Sequence, residues 1–279
     1  MFLNTIQLIR VKDWLKNFVI FFPIIFSNNI YEPEYLKKVF LTFIIFSFAA
    51  SCIYIFNDII DYQDDKLHKL KKHKKPLASG SLSINFAYYL LIVFLILFLL
   101  VLFLYPDIFY FVIIYLIINV GYSKFLKKTR YLEMLLVCTG YLIKLYAGSY
   151  VIEVETSFLL AISVFSLSLF VISIKRSVEN LKQETMRIRT LNYSEKILKF
   201  ITLINGSIFL FCTFFFIIVS NNLLIVIFPF LIFVIYRYYK ISFQKQMGEF
   251  PIDLIFNEKK LFFSCLITII ITMFIYYVI

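Results

Sequence analysis

Histidine is almost missing from this chain and cysteine is scarce, with two of the first and four of the second among 279 residues. Cys52, Cys138, Cys212 and Cys265 all fall inside apolar stretches, and no CxxC or Cys/His ligand spacing exists. Neither a disulfide framework nor a zinc site is therefore supported, and the cysteines read as small apolar packing residues. His68 and His73 flank lysines in one charged loop, where solvent or a phosphate suits them better than a metal. Acids are also few, 17 against 28 lysines and arginines, leaving a net charge of +11. The cations are divided among loops between apolar runs rather than gathered on one surface, so no nucleic-acid partner is expected. No low-complexity linker or domain boundary appears, and the chain reads as a single domain over 1–279.

What the chain has in abundance is apolar surface: 62% hydrophobic residues, 20% aromatic, and a mean hydropathy of +0.88. Those values lie far outside soluble averages. Apolar runs of about 18 residues mark membrane helices. Nine are read, at 17–31, 39–57, 84–104, 108–122, 132–152, 157–174, 200–219, 222–239 and 261–279, and they leave no room for a soluble domain. The expected fold is an all-α, polytopic membrane bundle in the lipid bilayer. The first run lacks a small-residue cleavage site and is interrupted by Phe21-Phe22-Pro23, so it is expected to stay as the first helix. Basic residues mark inner loops. With the N-terminus cytoplasmic, segments 1–16, 58–83, 123–131, 175–199 and 237–260 hold 25 of the 28 lysines and arginines. The outer loops are tight turns at Pro106–Asp107, Glu153–Thr156 and Ser220–Asn222, so the chemistry belongs on the inner face of the cytoplasmic membrane.

One inner loop carries a concentrated motif, Asn57-Asp58-Ile59-Ile60-Asp61-Tyr62-Gln63-Asp64-Asp65. Offsets of three and four put Asp58, Asp61 and Asp65 on one helical face. Ionisable groups at the membrane boundary are costly and functional. A hard divalent cation with oxygen ligands, Mg²⁺ bridging to substrate phosphates, relieves the repulsion of crowded carboxylates. Asn57, Asp58, Asp61 and Asp65 are the candidate ligands. Six lysines follow within 66–75, a stretch read as a short surface helix, and Pro76 stops any helix there. The competing reading is an acidic helix end balanced by its lysines.

Three further constellations face the same side. Asn119, Tyr122, Ser123, Leu126 and Lys127 lie at the inner end of the fourth run, where Tyr122 is either a substrate contact or an interfacial anchor. Glu133, Gly140 and Lys144 share a helical stripe. Lys144 is the basic residue deep within a run, at a cost of at least ~2.5–3.5 kcal/mol at the bilayer centre, so it should face the interior and meet a carboxylate or a phosphate. Lys175 and Arg176 either close a phosphate pocket or, through Glu179 at i+3, form a simple pair. At the N-terminus stands Arg10-x-Lys12-x-Trp14-x-Lys16-Asn17, with Trp14 as an interfacial residue and Lys12 and Lys16, four apart, expected on one face to grip a lipid phosphate.

Together these elements resemble the intramembrane, UbiA-type prenyltransferase superfamily, and within it the polyprenyl-phosphate phosphoribosyltransferases. The resemblance covers roughly residues 10–180. It rests on NDxxDxxxD at 57–65 with Pro76-Leu77-Ala78-Ser79-Gly80, on RxKxWxKN at 10–17, on YSxxLK at 122–127 and on KRxxE at 175–179. Glu133 stands where the family usually has aspartate and Lys144 where arginine is common. The loop from His68 to Pro76 is one residue longer than the family's, and the second DxxxD metal motif of the prenyl-transferring branch is incomplete, with Val137 four residues after Glu133.

The resemblance implies transfer of 5-phosphoribose from phosphoribosyl diphosphate to a decaprenyl-type polyprenyl phosphate, releasing diphosphate, in cell-envelope (cell wall) glycan precursor synthesis. Asp58 and Asp61, with Asn57 and Asp65, would hold Mg²⁺. Lys69, Lys71, Lys72, Lys75, Tyr122, Lys127, Lys175 and Arg176 would bind the donor, and Lys12, Lys16 and Lys144 the acceptor's phosphate. Relatives form trimers, so a homo-oligomer is expected by resemblance. Two alternatives stay open: prenyl transfer from prenyl diphosphate to an aromatic, haem or lipid acceptor, and a membrane transporter.

Overall fold

A computed structural model describes residues 1–67, 75–121, 129–183 and 193–278. The described residues are helical, with no strand among them. In chain order, α1 (Phe2–Ile9) leads into a 3₁₀ helix (Val11–Phe21) that continues as the short α2 (Phe22–Phe26). Then come α3 (Pro33–Ile60), α4 (Tyr62–Leu67), α5 (Ile84–Leu104), α6 (Phe109–Gly121), α7 (Leu132–Val151) and α8 (Phe158–Gln183). The C-terminal part holds α9 (Glu195–Ser220), a 3₁₀ turn (Asn222–Ile227), α10 (Phe228–Gln244), α11 (Pro251–Asn257) and α12 (Lys259–Tyr277).

Among the described residues, seven helices are long and apolar enough to cross a membrane, and a shorter apolar helix covers 106–121. The protein is an integral membrane protein. Of the runs expected from the sequence, 108–122 falls on that shorter helix, and 17–31 falls on the 3₁₀ helix and α2. The run at 157–174 extends to Gln183, so Lys175, Arg176 and Glu179 lie on the last turns of α8 rather than on a loop.

Helix ends follow local chemistry. Pro33 begins α3, where its missing N–H costs nothing. Ser83 caps α5 by accepting the Phe86 N–H at 3.2 Å. Glu258 caps α12 through the Leu261 N–H at 2.7 Å and also receives Arg237 at 2.6 Å.

α7 is central, packing against α8, α6, α3 and the 3₁₀ helix. Its closest approach is at Gly148, where an added Cβ would lie 2.2 Å from the backbone oxygen of Ile20. Backbone cannot swing aside as a flexible side chain can. Gly148→Ala is therefore expected to cost about 2–3 kcal/mol, in the range of core overpacking. A thermal-unfolding midpoint of detergent-purified protein measures this; an unchanged midpoint would mean that the two segments separate freely.

The 3₁₀ helix decides which residues of the N-terminal motif face where. With three residues per turn, i and i+3 eclipse. Trp14, Asn17 and Ile20 form the row against the bundle, with Asn17 1% and Ile20 0% exposed. Lys12, Leu15 and Phe18 form the outward row, and the Lys12 side chain is 79% exposed. Lys16 lies in the third row, with Asp13 and Val19. The expectation that Lys12 and Lys16 share a face is thus corrected. It assumed 3.6 residues per turn, whereas four residues along a 3₁₀ helix turn about 120° past the starting row.

Candidate active site

The N-terminal motif and the acidic motif meet along α3. Ser47, Ser51, Tyr54 and Asp58 are spaced four, three and four apart and form one helical stripe. Asn17, Trp14 and Arg10 run antiparallel to it. The Asn17 amide donates to Ser47 at 2.9 Å, the Trp14 indole N–H to Ser51 at 3.0 Å, and the Arg10 guanidinium to Asp58 at 2.9 Å. Arg10 also lies over the Tyr54 ring, 4.7 Å from its centroid. To reach there Arg10 adopts a left-handed backbone, φ 57°, at the junction of α1 and the 3₁₀ helix. Such a conformation costs roughly 1–2 kcal/mol for a residue with a Cβ.

α3 ends at Ile60 with Asp61 as its C-cap, and α4 begins at Tyr62. Across this joint Asp58 and Asp65, 3% and 2% exposed, converge on one ammonium. Lys75 Nζ donates to Asp58 Oδ1 at 2.8 Å and to Asp65 Oδ2 at 2.5 Å. Burial pulls the Lys75 ammonium pKa down, but Asp58 and Asp65 outweigh it and raise the value above that of an ordinary lysine. Arg10 is likewise disfavoured by burial and raised on balance by Asp58, Tyr54 and Asp13. Both stay charged at neutral pH.

No group of three or more His, Cys, Asp or Glu side chains poised to hold a metal exists among the described residues. Mg²⁺ is commonly held by one or two carboxylates together with substrate phosphates rather than by an all-protein cage. The donor set is right for it: hard oxygens of Asn57, Asp58, Asp61 and Asp65 in successive turns, two of them buried carboxylates compensated by side-chain cations.

Deeper in the bundle lies a second basic group. Lys144 is 7% exposed and pairs with no carboxylate among the described residues. Instead its ammonium lies 4.8 Å from the Tyr115 ring centroid and 5.6 Å from that of Tyr141. Lys16 is held to Asp13 at 2.7 Å. Lys12, by contrast, bonds Asp253 of α11 at 3.1 Å on the surface, away from the other two.

Lys175 and Arg176, adjacent in sequence, part company. The Arg176 guanidinium meets Glu133 in a two-point pair, Nη2 to Oε2 at 2.7 Å and Nε against Oε1, and donates to Glu179 at 2.5 Å. Glu133, 2% exposed, also accepts the Tyr193 phenol at 2.5 Å. Arg176 is thus engaged by two carboxylates, while Lys175 makes no ion pair among the described residues. Of the expected donor-binding residues, Lys69, Lys71, Lys72, Tyr122 and Lys127 lie outside the described residues. Sequence reading gave no site role to Arg10, whose signal was the 10/14/17 spacing complementary to 47/51/54/58, nor to Tyr193, which carried none.

A family model, the UbiA prenyltransferase family, matches residues 20–249. The chain belongs to the UbiA prenyltransferase family. Among curated relatives, the decaprenyl-phosphate phosphoribosyltransferase of Mycobacterium tuberculosis is 29% identical over 219 residues, covering 75% of this chain and 72% of that protein. The enzyme of the same name from Corynebacterium glutamicum is 28% identical over 185 residues, covering 64% and 55%. Solved UbiA-family structures share the fold. A UbiA homolog from Archaeoglobus fulgidus bound to GPP and Mg²⁺ superposes with a TM-score of 0.68 at 19% identity, covering 99% of this chain and 100% of the other. Its complex with DMAPP and Mg²⁺ gives 0.67 at 20% identity, covering 98% and 99%. The named relatives are transferases, and the solved structures show the shared fold.

Proposed function

We propose that this UbiA-family protein transfers 5-phosphoribose from phosphoribosyl diphosphate to a polyprenyl phosphate, releasing diphosphate. One observation supports the reading: apart from Arg10 and Lys75 on the acidic motif, the bundle buries a further cation, Lys144, whose partners among the described residues are the Tyr115 and Tyr141 rings. A prenyl diphosphate with a neutral aromatic acceptor needs one anion site. A donor bearing a diphosphate and a 5-phosphate, used with a phosphorylated acceptor, needs at least two. The similarity to decaprenyl-phosphate phosphoribosyltransferases points the same way.

In this reading Asp58 and Asp61, aided by Asn57 and Asp65, hold Mg²⁺ beside the donor's diphosphate. Bound there, the ion supplies Lewis-acid neutralisation of the leaving group. Lys75 and Arg10 share that charge as preorganised cations. Lys16, Lys144 and Lys175 orient the remaining phosphates. The C1–oxygen bond to diphosphate breaks and an acceptor phosphate oxygen bonds C1. A phosphate monoester has a second pKa of about 6, so the nucleophile arrives ionised and no side chain need remove a proton. The apolar polyprenyl chain lies between helices in the bilayer.

In this reading the site lies on the cytoplasmic face of the cytoplasmic membrane with the N-terminus inside, which the concentration of lysine and arginine in alternate loops supports. Nine crossings follow if segments 11–26 and 106–121 both cross. At about 2.0 Å per 3₁₀ residue and about 1.5 Å per α residue, segment 11–26 reaches roughly 30 Å, the thickness of the hydrocarbon core.

Purified protein with Mg²⁺ and polyprenyl phosphate is expected to consume labelled phosphoribosyl diphosphate, and not labelled prenyl diphosphate offered with aromatic acceptors. The reverse preference would replace this reading with prenyl transfer.

A further inference from the structure

We propose that Lys75 is the built-in counter-ion of the acidic motif, so that a divalent cation enters only together with the donor's diphosphate and does not occupy the site alone. The inference rests on the metal–diphosphate reading above and concerns how that same site is loaded.

The argument is one of charge and geometry. Asp58 and Asp65 are almost fully buried, and each places an oxygen on the same ammonium, at 2.8 and 2.5 Å. Asp58 also holds Arg10 at 2.9 Å. A divalent ion arriving alone would have to compete with Lys75 for the same oxygens and leave its ammonium without them. A buried charge that loses its partner is strongly disfavoured.

To release the two carboxylates, the Lys75 ammonium needs another anion to move to. A diphosphate carries more negative charge than one divalent ion cancels, so the metal–diphosphate complex supplies both the replacement for Lys75 on the carboxylates and a new partner for its ammonium. Pro76, immediately after it, starts the turn in which Ser79 and Ser81 both donate to the Pro76 carbonyl, at 3.1 and 3.0 Å. That turn anchors the backbone, so the swing belongs to the flexible lysine side chain.

The test is thermal unfolding of the full-length, detergent-purified chain titrated with MgCl₂ alone, inorganic diphosphate alone, and both together. Wild type is expected to show no midpoint shift with millimolar Mg²⁺ alone and a rise of several degrees with Mg²⁺ plus diphosphate. Lys75→Met should respond to Mg²⁺ alone, with half-effect at a concentration at least about tenfold below any seen for wild type. Equal responses of the two proteins to Mg²⁺ alone, including no response in either, overturn the proposal. Should Lys75→Met fail to fold, Mn²⁺ binding to wild type is read by electron paramagnetic resonance. Retention of Mn²⁺ without diphosphate then overturns the idea, and retention only with diphosphate upholds it. A metal–diphosphate mixture that shifts neither protein would count against the donor assignment, while the Mg²⁺-only contrast would still judge Lys75.

Discussion

Replacing Asp58 by asparagine is expected to reduce transfer by about 10²–10³-fold, the loss typical of removing one preorganised charged contact from a transition state. The side chain keeps its shape and one carbonyl oxygen, so Arg10 and Lys75 retain an acceptor. What disappears is the negative charge. Lys75 keeps Asp65, whereas Arg10 loses the carboxylate it pairs with. Hydrogen bonds to charged groups contribute about 1.5–3 kcal/mol, so a modest fall in the unfolding midpoint should accompany the activity loss. Asp61→Asn, at the joint between α3 and α4, should lower activity and weaken the response to Mg²⁺. A titration of transfer rate against Mg²⁺ separates the causes. In the metal-site reading, both variants need more Mg²⁺ and neither regains the wild-type rate at saturation. Rates within about threefold of wild type and an unchanged Mg²⁺ curve in both would remove these aspartates from the chemistry.

How much of this was legible beforehand depended on whether the helix was ordinary. α3, α5, α7 and α9 follow from apolar runs, because 3.6 residues per turn needs no tertiary knowledge. The acidic motif was legible too, since Asp58 and Asp65 stand out at a helix end, but their shared lysine was not. Six lysines follow Lys66's neighbour Asp65 at similar spacing, and only the turn at Pro76 selects Lys75. The N-terminal motif misled for a physical reason. Eleven residues of 3₁₀ helix are rare, and that winding sends Lys12 outward to Asp253 while keeping Lys16 on Asp13. For Arg176 the sequence favours a phosphate contact over a pair with Glu179, and the long-range partner Glu133 lies 43 residues away. Nothing in local spacing signals that pairing.

Arg176 provides the second large effect, and it should appear in stability rather than in substrate affinity. Its side chain is 16% exposed and that of Glu133 only 2%. Arg176→Leu would leave Glu133 buried with the Tyr193 hydroxyl as its described neutral partner. Breaking a buried pair from one side costs about 3–5 kcal/mol, much of the margin of a typical domain. Replacing both partners is different. Leucines at 133 and 176 remove the stranded charge, and buried pairs exchanged for apolar residues are often neutral, so Glu133→Leu with Arg176→Leu should regain at least about half of the lost stability. Tyr193→Phe, which deletes one hydrogen bond to the same carboxylate, should cost about 1.5–3 kcal/mol. A donor-phosphate ligand would behave in the opposite way: the single arginine variant would keep its unfolding midpoint while KM for the donor rose, and the double variant would recover nothing. Unfolding midpoints and donor KM measured on the same four proteins therefore decide whether Arg176 clasps α7 to α8 or reaches for substrate. The two-carboxylate geometry argues for the clasp.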